Sequence, residues 1–163
     1  MRNLLKIALK VSFGIYLFAL AVILFMSSRG LGFAHELTLL EYIKYSSNFV
    51  PFKTINTYIN ALQDGTMNRD IPIKNLLGNF VLFLPMGIFL PILFKRLSIF
   101  KKYIITIILV LLLIEIIQVI TRLGSFDIDD LLLNLLGAIL GFSIYKLLVQ
   151  LKIIRYDSNK NLT

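Results

Sequence analysis

The chain has 163 residues, 58% of them apolar and 16% charged, with a mean hydropathy of +0.84 and a formal net charge of +8. Soluble domains run at roughly 45–50% apolar and about 25% charged residues, so composition excludes an ordinary water-soluble globule, and the length allows one domain. The absence of Cys excludes disulfides, thiolate metal sites and Cys nucleophiles, and the lone His35 leaves no pair for a His-based metal site.

Four apolar runs are each long enough to cross a bilayer, which takes about 20 residues. The first, 4–26, is interrupted near its start by Lys6 and Lys10. Arg2, Lys6 and Lys10 would also suit the basic region of a signal peptide. The run is long for one, however, and no A-x-A-like site follows, so it reads as an uncleaved span. The stretch 27–74 holds two candidate amphipathic helices, which would lie on the membrane surface or cover the bundle. Leu37, Leu40 and Ile43 mark one. Phe52, Ile55, Ile59 and Leu62 mark the other, after Pro51, with Gln63-Asp64-Gly65 as its stop. The second apolar run, 76–94, has no charge and includes Gly78, Asn79, Pro85, Gly87 and Pro91. Its prolines are compatible with a span, because neighbouring helices satisfy the backbone groups they free. The third, 103–120, holds one acid, Glu115, and the fourth, 131–151, one base, Lys146. The polar end, 156–163, reads as a loose tail.

The expected fold is therefore an all-α integral membrane protein: a bundle of about four transmembrane helices with one or two short interfacial helices in the first outer loop. Its organisation reads as a first transmembrane helix (1–26), an extracytoplasmic loop with amphipathic helices (27–74), a three-helix core (75–151) and a cytoplasmic tail (152–163). Threading the spans with the N-terminus inside places eleven bases and one acid, Asp157, on the inner side. Six bases and seven acids fall outside, and Glu115 lies within a span. That bias in Lys and Arg predicts a multi-pass protein of the bacterial cytoplasmic membrane with both termini cytoplasmic. It also argues against nucleic acid as a partner, since anionic lipid accounts for bases that flank spans.

Polar residues inside spans are costly and mark candidate sites. Glu115, Gln118 and Arg122 share one face of the third span. They form either an internal tie or a functional group in which Glu115 is the candidate acid. Asn75 and Asn79 share a face of the second span. The readings there are capping by Asn75, interhelical bonding by Asn79 or ligand contact, with Gly78 allowing close helix approach. Before the fourth span stand Asp127, Asp129 and Asp130, followed by Asn134. Ser125 or Asp127 would cap this helix, and three acids exceed what one cap needs. Asp127, Asp130 and Asn134 share a face, and Asp129 points elsewhere. Divalent metal binding there is only weakly signalled, so no metal and no cofactor are assigned. Gly137 and Gly141 form a GxxxG, which more often packs a bundle than dimerises it. Asn79, Glu115, Gln118 and Asn134 come from three spans yet fall at one depth in the outer leaflet. Arg122 and the three Asp lie just above them. That coincidence suggests a shared polar cavity open to the outside.

Five stretches resemble the VanZ family, membrane proteins associated with glycopeptide and particularly teicoplanin resistance. They are Asn48-Phe49-Val50-Pro51-Phe52, Asn75-Leu76-Leu77-Gly78-Asn79, Phe83-Leu84-Pro85-Met86-Gly87, Glu115-Ile116-Ile117-Gln118 and the run from Asp127 through Asp129-Asp130 and Asn134 to Gly137. They follow the family's order and extend over more than half the chain. Members commonly carry Arg directly after the glycine preceding the acidic cluster. This sequence has Ser125 there, and Arg122 is its nearest base.

The resemblance implies an envelope protein that lowers susceptibility to lipoglycopeptides. Its polar cavity would bind a lipid headgroup, a lipid-linked cell-wall precursor or the drug's acyl anchor, with Asn48, Asn75, Asn79, Glu115, Gln118, Arg122, Asp127, Asp129, Asp130 and Asn134 as candidate ligand contacts. The competing reading is a membrane enzyme that modifies an envelope lipid or polyprenyl-linked precursor. Glu115 would be its general acid or base, its pKa raised by burial. No nucleophile motif supports acyl transfer, since Ser125 lacks a His partner. A transporter ranks last, because the inner halves of the spans are almost wholly apolar.

Overall fold

A computed structural model of the chain describes residues 2–26 and 37–153. His35 lies outside the described residues, as do the charges Arg29, Glu36, Arg155, Asp157 and Lys160 and the tail read at 156–163. The regular structure is helical: α1 (Arg2–Met26), α2 (Leu39–Ser46), α3 (Lys53–Asp64), α4 (Asp70–Leu82), α5 (Leu84–Leu93), a 3-10 turn at Lys95–Ser98, α6 (Phe100–Thr121) and α7 (Ile128–Gln150). Four stretches are long and apolar enough to span: Leu4–Met26, Asp70–Leu93, Phe100–Thr121 and Ile128–Gln150.

The second of these is two helices in line. Pro85 stands in the first turn of α5 and has no N–H to give to the preceding turn, so the ladder breaks at Phe83 and restarts at Leu84. Pro91 is absorbed inside α5. The helical stretch also begins six residues before the apolar run does, at Asp70, so Asn75 lies inside α4 and is not a cap.

α7 is the central helix. It packs against α4 and α5 along one side, against α6 on another, and meets α3 at its N-terminal end. Its contact stripe is made of small residues: a Cβ at Gly137 would collide with the Phe80 carbonyl, and one at Gly141 with the Leu84 carbonyl. Gly87 returns the arrangement from α5, where an added Cβ would strike the backbone of Ala138 and Phe142. The GxxxG therefore packs α7 onto α4 and α5. Gly78 does not contribute a close approach, since a Cβ there would meet nothing within 4 Å.

Lipid offers apolar side chains no hydrophobic reason to leave it, so close packing and buried hydrogen bonds hold such a bundle. Tyr103 on α6 supplies both. It is fully buried, stacks on Phe142 with ring centroids 4.6 Å apart, and its hydroxyl donates to the Ala138 carbonyl at 2.9 Å. α1 is attached more lightly. Leu20 is buried, Phe13 and Tyr16 lie against Phe89, and the Tyr16 hydroxyl donates to Leu82 O at 2.8 Å.

α2 starts with a capping box. The Thr38 hydroxyl accepts from Glu41 N–H while the Glu41 carboxylate receives the Thr38 N–H and hydroxyl. Those bonds, the hydroxyl's first, hold the Glu41 carboxyl below its ordinary pKa. Helix α3 begins at Lys53, not Phe52. Phe52 adopts a left-handed conformation (φ 65°) in front of the helix and is exposed, so the apolar stripe begins at Ile55. Gly65 ends α3 in a left-handed C-cap, in line with the expected stop.

Candidate functional site

The chain entering α7 runs beside the chain leaving α2, and the two form an isolated parallel bridge. Asn48 N–H donates to Phe126 O at 2.7 Å and Ile128 N–H donates to Asn48 O at 3.0 Å. This bridge lays the α2–α3 connection across the end of the bundle. Asp127 is the N-cap of α7, accepting from Asp129 N–H at 2.8 Å. The same carboxylate accepts from Asn48 Nδ2 at 3.0 Å and from the Thr54 hydroxyl at 2.6 Å. Ser125 is not the cap.

Asp129 is fully buried and points away from Asp130, into the start of α3. One carboxylate oxygen accepts from Phe52 N–H, and the other from the N–H groups of Thr54 and Ile55 at 2.8 and 3.1 Å. These are the orphan donors of a helix N-terminus, so an acid from α7 caps α3 from outside it. Asp130 faces α4, where Asn79 Nδ2 donates to it. The three Asp thus divide between three elements, which accounts for more carboxylates than a single cap requires.

Glu115, on α6, is 4% exposed and accepts from Asp127 N–H at 3.3 Å. Gln118, one turn further, turns the other way. Its amide donates to Leu24 O on α1 at 2.9 Å, and its own carbonyl accepts the N–H groups of Leu123 and Gly124 that close α6. Arg122 takes a left-handed C-cap conformation (φ 57°), and its guanidinium lies 6.0 Å from the centre of the Tyr42 ring. The Tyr42 hydroxyl in turn donates to Gly124 O at 2.7 Å, pinning α2 to the α6–α7 turn. Asn134 is 4% exposed, and its Oδ1 has no hydrogen-bond partner.

Of the ten residues singled out from the sequence, Asn48, Glu115, Asp127 and Asp129 join one hydrogen-bonded network, and Asn79 and Asp130 form a bonded pair between α4 and α7. Gln118 and Arg122 border it, tying α6 to α1 and α2. Asn75 stays apart, its amide bonded to Ile71 O within α4. The sequence reading missed Thr54, which bridges Asn48 and Asp127. Nothing local marks a threonine 73 residues from its partner. Thr38-x-x-Glu41, by contrast, is a signature readable from sequence that places the α2 start. Among the described residues no group of three or more His, Cys, Asp or Glu is arranged to hold a metal ion.

Comparison with known proteins gives the family. The family described as VanZ/LLP1 matches residues 5–149, which takes in every spanning helix and the whole polar network. The chain belongs to the VanZ/LLP1 family. Protein VanZ of Enterococcus faecium is 28% identical over 120 residues, covering 74% of each chain. No solved structure matches. Family membership and four candidate spans together make this a multi-pass membrane protein.

Proposed function

We propose that this VanZ/LLP1 member works in the bacterial cytoplasmic membrane, with both termini cytoplasmic, and lowers susceptibility to acylated glycopeptides such as teicoplanin. The family match along 5–149 is the observation that carries this reading. The orientation follows from the bias of Lys and Arg toward one side of the spans, and it puts the Asp127–Asp130 network at the outer surface. Teicoplanin bears an acyl chain and vancomycin does not, so a polar site at the lipid boundary can separate them by engaging a lipid headgroup or the drug's anchor. The unpartnered Asn134 Oδ1 supports a ligand role, because leaving a buried acceptor unbonded costs about 1–3 kcal/mol that an incoming donor would recover. No observation favours the enzyme reading over this one.

The test compares teicoplanin and vancomycin susceptibility in cells expressing wild type, Glu115→Gln and Asn134→Leu at matched protein levels. Wild type should raise the inhibitory concentration of teicoplanin several-fold more than that of vancomycin. Asn134→Leu should lose that difference, and Glu115→Gln, which still accepts a hydrogen bond, should keep part of it. Equal protection against both drugs would sink the proposal.

A further inference from the structure

The connection between α2 and α3 turns its apolar side chains outward. Phe49, Val50 and Phe52 are 65%, 58% and 59% exposed, and Pro51 among them is exposed as well. Positions 45–52 carry no charge, and the exposed Lys44 and Lys53 stand at either end of them. Three large apolar side chains together on a tip mark a surface that meets something other than water. The tip is held firmly. The Phe49 ring stacks on Phe126 with centroids 5.0 Å apart, and the Asn48–Asp127 bridge and the Phe52–Asp129 bond fix both its ends to the start of α7.

The height of the tip and its backbone identify the partner. α7 has 23 residues, which a helix extends to about 34 Å, against a hydrocarbon core of about 30 Å. Its first turn therefore lies at the membrane boundary, and the tip is bonded at that level. Backbone groups there find little water, so their hydrogen bonds must be made within the protein. Val50 N–H donates to Asn48 Oδ1 at 3.1 Å, Phe52 N–H to Asp129, Lys53 N–H to Val50 O at 3.3 Å and Asn56 N–H to Phe52 O at 2.9 Å, while Pro51 has no N–H to satisfy. Polar backbone is turned in and apolar side chains are turned out, an arrangement suited to lipid and not required of a turn in water.

We infer that Phe49, Val50 and Phe52 form a wedge whose partner is the bilayer surface around the bundle. The backbone of the tip rests at the boundary, and the three side chains enter the acyl region just beneath the headgroups, where aromatic residues anchor membrane proteins. The bonds that hold the tip, Asn48 to Asp127 and Phe52 to Asp129, belong to the polar network, so the wedge sets the height at which that network meets lipid. The tip is level with the start of α7 whichever end of the bundle faces the cytoplasm. The inference therefore stands independently of the orientation and of the drug-related proposal.

The chain contains no Trp, so a single introduced Trp reports its own surroundings. Phe52→Trp and Val50→Trp are made singly in the full-length protein and reconstituted in phosphatidylcholine vesicles. Met67→Trp, exposed between α3 and α4, is the water-facing reference, and Leu109→Trp, exposed near the middle of α6, is the lipid-facing one. Both tip variants should lose emission to lipid brominated in the upper part of its chains and be spared by aqueous iodide, with emission blue-shifted from that of Met67→Trp. Leu109→Trp should respond most to bromine near the chain ends. Val50→Trp keeps the test decisive where Phe52→Trp disturbs the left-handed turn. Quenching of the tip by iodide, with no loss to brominated lipid, would place it in water as a surface for a protein partner and overturn the wedge.

Discussion

Asp129 shows how a single side chain can hold the outer part of this protein together. Its carboxylate takes three N–H groups from the start of α3, one of them from Phe52, whose left-handed conformation costs about 1–3 kcal/mol for a bulky residue. The cap holds that conformation in place. Asp129→Ala would remove the shared acceptor of three part-buried donors and should lower stability by about 1–3 kcal/mol. Thermal unfolding in detergent, with trypsin sensitivity at Lys53 as a local readout, measures this. Asp129→Asn keeps one acceptor oxygen and should fall between. If Asp129→Ala melted with wild type, the capping role would be removed. From sequence, three acids ahead of a helix were legible as more than one cap needs. Which helix received the surplus was not, because the recipient lies 75 residues away and advertises nothing but an N-terminus.

Among the helices, backbone proximity decides the packing of α7. Gly137 and Gly141 let the α4 and α5 carbonyls come close enough that any Cβ collides, whereas Gly78 faces open space. Gly137→Ala and Gly141→Ala should each force α7 outward and cost about 1–3 kcal/mol, the range for overpacking, read as a lower melting temperature. Gly78→Ala should be neutral or mildly stabilising, since alanine is the better helix former. A tolerated Gly137→Ala would show that the helices have slack. The GxxxG spacing made the pairing of α7 legible. The role of Gly78 was not legible, because a glycine beside Asn79 looks the same whether it faces a helix or lipid. α6 shows the same limit. Its buried stripe, Tyr103, Ile107, Leu111 and Glu115, differs from its wholly aliphatic exposed stripe, Leu109, Leu113, Ile116 and Ile120, only through Tyr103 and Glu115. The Leu and Ile residues cannot themselves tell which side faces the protein when the solvent is lipid.

Across the whole molecule, charge and cover are the governing features. Among the described residues, the acids other than Glu115 gather at the end of the bundle where α2 and α3 lie across it, and the other end carries bases. Orientation is testable without a background of native thiols, since the chain has no Cys. Met67→Cys, exposed between α3 and α4, should react with a membrane-impermeant maleimide on intact cells, and Lys152→Cys should react only after lysis. The reverse pattern would invert the topology and place the acidic network in the cytoplasm.

The sequence by itself determined the class of this protein and the number of its spanning segments. Twenty apolar residues in a row must satisfy their own backbone in lipid, and a helix is the way one segment does so. It also carried the family, through short motifs in a fixed order. The tertiary structure alone decided that Asp127, Asp129 and Asp130 serve three different elements, that Gln118 turns to α1 while Glu115 turns to α7, and that Thr54 closes the network. Those assignments depend on which helix ends meet. Helix ends meet through long-range hydrogen bonds between buried polar groups, and neither periodicity nor composition records them.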